Sequence, residues 1–241
     1  MKAPRILALA LALCAPAAGA GAFTLEPMST LLAPSGAGSV ATFRIKNDGS
    51  ERVAVRLEVL SRGLSPEGKE TNEAAGSLFV VYPARVLIEP GATAVAKLQW
   101  KGPQKPDSEL PFRLLAEQVS VDPAPDASSG IKMRFRYLAS VYVGSGGFAP
   151  KLEAKVEGAA GPKGEKGFLV ELRNSGTRHI VDRDASVTLA GADGLVIGAE
   201  ELGELGGANY LPGSSRKLFI PNEHAEIGKS YDAQLDYKGE Y

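Results

Sequence analysis

Val53-Ala54-Val55-Arg56-Leu57-Glu58-Val59 alternates without a break, with apolar residues at the odd positions and mostly polar ones between. Side chains of an extended chain point to opposite faces in turn, so this stretch is a strand with one buried face and one wet face. It is the middle of one of seven such short runs, at residues 23–32, 39–46, 52–61, 78–81, 92–100, 112–120 and 131–143. Turn formers separate them. Asn47-Asp48-Gly49-Ser50 supplies Asx and Gly residues that tolerate left-handed backbone. Glu89-Pro90-Gly91 puts Pro and Gly at natural turn positions. Residues 122–130, rich in Pro, Asp, Ala and Ser, read as a loop. Long apolar patterns of helical period are missing, so the fold class is all-β, and these seven runs fit one sandwich.

A second set of runs follows Gly144-Ser145-Gly146-Gly147, at 151–157, 167–173, 185–189, 195–197, 216–220 and 231–237. The two halves share a rhythm. Phe43-Arg44-Ile45-Lys46-Asn47-Asp48-Gly49 and Val170-Glu171-Leu172-Arg173-Asn174-Ser175-Gly176 each end an alternating strand in Asn-x-Gly. Two related immunoglobulin-like β-sandwich domains are therefore expected, over residues 23–146 and 147–241.

Residues 1–22 read as a cleaved signal peptide. Lys2 and Arg5 precede an apolar stretch that ends in Ala20-Gly21-Ala22. The stretch is too short for a spanning helix, which needs about 20 apolar residues. The chain's one cysteine, Cys14, lies inside it and follows Leu13, where a lipoprotein signal needs a small residue. The exported part then has no disulfide and no thiolate metal site, which suits a bacterial periplasm. The formal net charge is −1, and the signal removes two of the positive charges. Nucleic acid or an anionic membrane would call for a basic excess, so neither is expected as a partner.

No residues converge on chemistry. His179 and His224 are far apart in sequence and have no ligand-type spacing around them, so neither reads as a metal ligand. No serine stands in Gly-x-Ser-x-Gly or Ser-x-x-Lys. Gly161-Pro162-Lys163-Gly164-Glu165-Lys166-Gly167 has only two collagen-like triplets and lacks the phosphate-loop spacing, so it reads as a hairpin loop. Glu200-Glu201 reads as solvated surface, and Trp100 as packing. The expectation is a protein with no catalytic residue, metal or cofactor.

One run exceeds what its sandwich requires. Ile131, Met133, Phe135 and Tyr137 share one face of a strand, and Lys132, Arg134 and Arg136 share the other. The run continues to Val143, well beyond the five or six residues of an ordinary strand. Its far end can join the sheet while its near end projects. Such an edge invites aggregation unless a partner strand is meant to pair with it. The basic residues opposite act as gatekeepers while it is empty.

The chain resembles the PapD-like periplasmic chaperones of pilus assembly. The resemblance rests on Phe23-Thr24-Leu25-Glu26-Pro27, Ala41-Thr42-Phe43-Arg44-Ile45-Lys46-Asn47 and Phe79-Val80-Val81-Tyr82-Pro83-Ala84-Arg85-Val86. It continues through Leu87-Ile88-Glu89-Pro90-Gly91, Phe112-Arg113-Leu114-Leu115-Ala116-Glu117-Gln118 and Ser140-Val141-Tyr142-Val143. In the second half it rests on residues 209–216. It implies a boomerang of two sandwiches whose first domain donates its last strand to an exported pilus or fimbrial subunit, before an outer-membrane usher assembles the fibre. By position the donating residues are Ile131, Met133, Phe135 and Tyr137. The family commonly grips the subunit's terminal carboxylate with Arg on the first strand and Lys on the last. Ser29 and Ser140 stand at those places. Arg113 and Arg85 are the candidate replacements. The competing reading is a structural or adhesive surface module of the same sandwiches. Self-association through the edge strand is another way to cover it.

Overall fold

The computed structural model describes residues 23–120, 134–181, 184–190, 195–205 and 207–238. The expected signal peptide lies outside them, as do Ile131 and Met133. In the first half the strands are β1 (Phe23–Glu26), β2 (Ser29–Leu32), β3 (Val40–Asn47), β4 (Val53–Ser61), β5 (Gly63–Leu64) and β6 (Glu70–Thr71). They continue with β7 (Phe79–Tyr82), β8 (Arg85–Ile88), β9 (Thr93–Trp100), β10 (Leu110–Val119) and β11 (Arg136–Val143). The second half holds β12 (Leu152–Ala160), β13 (Lys166–Asn174), β14 (Ile180–Val181), β15 (Ser186–Ala190) and β16 (Val196–Ile197). A short helix, α1 (Ala199–Leu202), precedes β17 (Asn209–Tyr210), β18 (Ser215–Pro221) and β19 (Ser230–Asp236).

Sheets β1-β3-β9-β7 and β2-β11-β10-β4-β8 face each other in the first half. The run 53–59 behaves as its alternation requires: Val53, Val55, Leu57 and Val59 are buried. They meet Phe23, Phe43, Ile45 and Leu98 from the other sheet in one core. At one end Phe79, Trp100 and Phe112 pack edge to face or tilted, with ring centroids 4.9–5.6 Å apart. The expected run 23–32 divides at Pro27, which has no N–H for a ladder. Its first part joins one sheet and its second the other.

The second half encloses a separate core around Phe168, Val170, Leu172, Val187, Leu189 and Tyr210. Its main sheet runs β16-β15-β19-β12-β13-β18. β12 and β19 are joined by only two residue pairs, so each side of that join acts as one leaf around the core. The Gly161–Gly167 segment holds the turn of the β12–β13 hairpin, as expected, and its last two residues open β13.

The shared Asn-x-Gly rhythm proves to be one construction used twice. Asn47 and Asn174 are both fully buried. Asn47 donates to the carbonyls of Glu51 (2.7 Å) and Ile88 (3.0 Å), and Asn174 to those of Arg178 (2.7 Å) and Tyr210 (3.0 Å). Each side-chain oxygen accepts the N–H of the glycine two residues on, Gly49 at 2.9 Å and Gly176 at 3.0 Å. Each backbone carbonyl accepts the N–H of a Pro-Gly turn, from Gly91 at 2.9 Å and Gly213 at 2.8 Å. Both turn glycines have positive φ, 70° and 76°, which glycine adopts without strain.

Candidate functional site

β11 lies next to the rim of its sheet, because β2 pairs with only part of it. β10 runs along one side from Arg136 to Val143. On the other side the short parallel strand β2 covers Ser140 to Val143. Among the described residues, no strand pairs with the outer side of Arg136–Ala139. Ser140 donates its N–H outward to Met28 O (2.9 Å) and Gly144 to Leu32 O (3.0 Å). Alternation therefore turns the N–H groups of Arg136 and Leu138 toward the open side.

The odd-numbered residues of β11 face the core. Ala139, Val141 and Val143 are fully buried. Phe135 and Tyr137 are partly buried against the same core, and Tyr137 meets Phe23 edge to face at 4.9 Å. The two expected donor residues that are described thus lie on one apolar face that begins inside the sandwich and runs out along its open edge. Exposed Met28, Leu31 and Leu138 flank that edge. Arg136 lies on the opposite face and pairs with Glu117 (3.4 Å), which also binds Arg56 at 2.7 Å.

Ser29 and Ser140, the two positions that lack the expected cations, are register partners across β2 and β11. Beside them sits an arginine from β10. Arg113 Nη1 donates to Ser140 Oγ at 2.7 Å and to Leu138 O at 3.3 Å. Its Nε and Nη2 fork onto Glu70, at 2.8 Å to Oε1 and 2.6 Å to Oε2. Arg62 Nε reaches the same Oε2 at 2.9 Å, and Arg62 Nη1 donates to Tyr142 Oη at 3.0 Å. The sequence offers Arg113 only as one of two candidate replacements for those cations. Arg62 and Glu70 carried no signal, since only the fold brings them to β10. Arg85 pairs in register with Arg56 on the far edge strand β8, away from Ser140.

Partial burial pushes the Glu70 carboxyl upward. The Arg113 hydrogen bond and the charges of Arg62 and Arg113 outweigh this and bring it down from 4.5 to about 2. A carboxyl depressed by folding stabilises the protein above its unfolded pKa and loses that contribution as pH falls through the folded one. Wild-type stability should therefore drop between pH 4.5 and about 2 through this group. In Glu70→Gln that component should be absent, flattening the acid limb by about 1–3 kcal/mol once solvent screening is allowed for. Urea unfolding across that pH range measures it.

The same region joins the two sandwiches. Tyr142 stacks on His179 with ring centroids 3.7 Å apart and 4° between planes. Tyr142 Oη accepts from Asn209 Nδ2 at 2.6 Å. Glu109, buried, accepts the His179 N–H at 3.1 Å and lies 2.5 Å from His179 Nδ1. His179 is hydrogen-bonded, but across the junction between the two cores and largely shielded from solvent. His224 is exposed. Among the described residues no group of three or more His, Cys, Asp or Glu could hold a metal ion.

No protein-family model matches the chain, and no curated protein matches it in sequence. Solved structures do match. The class 5 fimbriae chaperone CfaA aligns at a TM-score of 0.55 with 15% identity, over 90% of this chain and 99% of that one. The Escherichia coli chaperone DraB aligns at 0.53 with 16% identity, over 90% and 96%. A chain of the CsuC–CsuE chaperone–tip subunit pre-assembly complex from the archaic chaperone-usher Csu pili of Acinetobacter baumannii aligns at 0.54 with 13% identity, over 83% and 90%. The fold is the two-sandwich architecture of the chaperone–usher chaperones.

Proposed function

We propose that this chain is a periplasmic chaperone for exported pilus or fimbrial subunits, acting by strand donation and without enzymatic chemistry. The observation that carries this reading is the open side of β11 at Arg136–Ala139. An incomplete subunit could add a strand there. Its core would then continue the apolar face formed by Phe135 and Tyr137, and by Ile131 and Met133 further along the run. Burying each large apolar side chain contributes roughly 1.5–3 kcal/mol, so three or four hold a complex without a chemical energy source. Likeness of fold to fimbrial chaperones over 90% of the chain supports the reading, and so does the forked arginine beside Ser140. An outer-membrane usher would receive the subunit.

The test is purification of the chain from the periplasm of its source bacterium, with mass spectrometry of whatever co-elutes. A stoichiometric exported subunit is the expected result. Recovery of the chain only as a monomer or self-oligomer, from cells that are expressing the exported proteins encoded beside it, would favour a structural module.

A further inference from the structure

β4 does not end its hydrogen bonding where it leaves the sandwich. The chain folds back on itself beyond it. Ala75 N–H donates to Val59 O at 2.9 Å, Leu60 bridges Ala74, and Ser61 N–H donates to Glu73 O at 2.7 Å. The β5–β6 pairs Gly63–Thr71 and Leu64–Glu70 continue the ladder outward, and Ser65 N–H closes it on Lys69 O at 2.9 Å. Residues 59–75 are therefore one two-stranded arm. Glu70 clasps its base through Arg62 and Arg113, and Arg113 in turn donates to Ser140 Oγ of β11.

The tip of the arm is built to hold one shape. Ser65-Pro66-Glu67-Gly68 has Ser, Pro and Gly at the first, second and fourth places of a β-turn, where each is favoured. Gly68 N–H donates to Ser65 O at 2.9 Å, and Gly68 has φ 84°. This rigid tip crosses to the second sandwich. Pro66 O accepts the Lys217 N–H of β18 at 2.9 Å. A Cβ added at Gly68 would collide with the Arg216 guanidinium, whose Nε is buried. Glycine is thus required there both for its backbone and for the close approach.

β18 is the last strand of its sheet, and the arm meets its free side. Asn222 N–H points inward, to Lys166 O at 3.0 Å. Alternation turns the N–H groups of Lys217 and Phe219 outward, and Pro221, next in that row, has none. The tip takes the Lys217 N–H. An isolated two-stranded hairpin is at best marginally stable in water, so docking on β18 is what orders the outer arm.

The sandwiches therefore meet at two places, the arm tip and the junction of Glu109 and Tyr142 with His179 and Asn209. Relative motion is the default for domains joined by a small polar interface, and that junction is polar. A second contact away from the first removes the remaining rotation. We propose that the arm is a brace: it holds the second sandwich at a fixed angle to β11, and with its tip undocked the two sandwiches turn independently about the Tyr142–His179 junction. The brace does not depend on what binds at β11.

The test uses the full exported chain as wild type, Gly68→Val, Lys217→Pro and Lys217→Ala. Gly68→Val drives the tip off from the arm side. Lys217→Pro removes the outward donor and leaves the β13 ladder intact, since its N–H takes no part there. Lys217→Ala loses the side chain, including its 3.5 Å pairing with Glu171, but keeps the N–H. Residual dipolar couplings of the backbone amides are fitted for each sandwich. Wild type and Lys217→Ala should fit one alignment tensor, whereas Gly68→Val and Lys217→Pro should need two. The Lys217 amide should exchange about tenfold faster in Gly68→Val than in wild type, as loss of one hydrogen bond allows. Protection of the Leu218 and Ile220 amides checks that β18 is intact in Lys217→Pro, and Gly68→Val leaves that strand's sequence untouched. A single tensor in Gly68→Val with a fast-exchanging Lys217 amide overturns the brace, because the junction alone then fixes the angle. Two tensors in wild type, or an unchanged Lys217 amide in Gly68→Val, overturn it as well.

Discussion

Asn47→Asp should lower the melting temperature of the first sandwich by about 15–25 °C, and Asn174→Asp should do the same to the second. Each substitution keeps the shape of the side chain and removes its two donors. The carbonyls of Glu51 and Ile88, or of Arg178 and Tyr210, then face a buried carboxylate instead of an amide N–H. A buried acceptor left without its donor costs about 1–3 kcal/mol, and an unpaired buried charge costs more, so a total of about 3–5 kcal/mol is expected. Because the cores are separate, calorimetry should show one transition moving far more than the other in each variant. A shift below about 5 °C would mean that these asparagines are not what pins the strand ends to the Pro-Gly turns.

The second large effect concerns binding. Met133→Asp/Phe135→Asp should weaken the complex with a co-purified subunit at least ~100-fold. Two buried apolar side chains contribute roughly 3–6 kcal/mol between them, before the cost of burying two carboxylates is added. Phe135 also packs against the chain's own core, so the variant's melting curve must be recorded alongside. The single variant Met133→Asp carries the same prediction without touching that packing contact, at roughly tenfold or more. Pull-down with the purified subunit, followed by calorimetric titration, gives both numbers. Undiminished binding by a folded Met133→Asp/Phe135→Asp variant would remove the alternating face from the interface.

The parts of this fold that were legible in the sequence are those fixed by short-range rules. Alternation over 53–59 gave a buried face because a strand has period two. Asn-x-Gly at 47–49 and 174–176 gave the repeat, because a turn needs residues that tolerate unusual backbone. What the repeated asparagines do was not legible, since their partners Ile88 and Tyr210 lie 41 and 36 residues away. The candidate site divides the same way. The apolar face of 131–137 is a local pattern. The Glu70 clasp joins Arg62, just after β4, to β6 and to Arg113 of β10, 43 residues beyond Glu70, and nothing in the polar stretch around Glu70 marks it. His179 read as an ordinary histidine because its partners, Glu109 and Tyr142, reach it only through the packing of one sandwich against the other.

Amide hydrogen exchange reads out whether a client strand adds to the open side of β11. Exchange at Arg136 and Leu138 should be measured in the free chain and in its complex with the co-purified subunit. Both N–H groups should exchange freely alone and slow by at least about 100-fold in the complex, as ladder hydrogen bonds form. A stable complex in which these two amides exchange as fast as in the free chain would contradict strand addition at this edge.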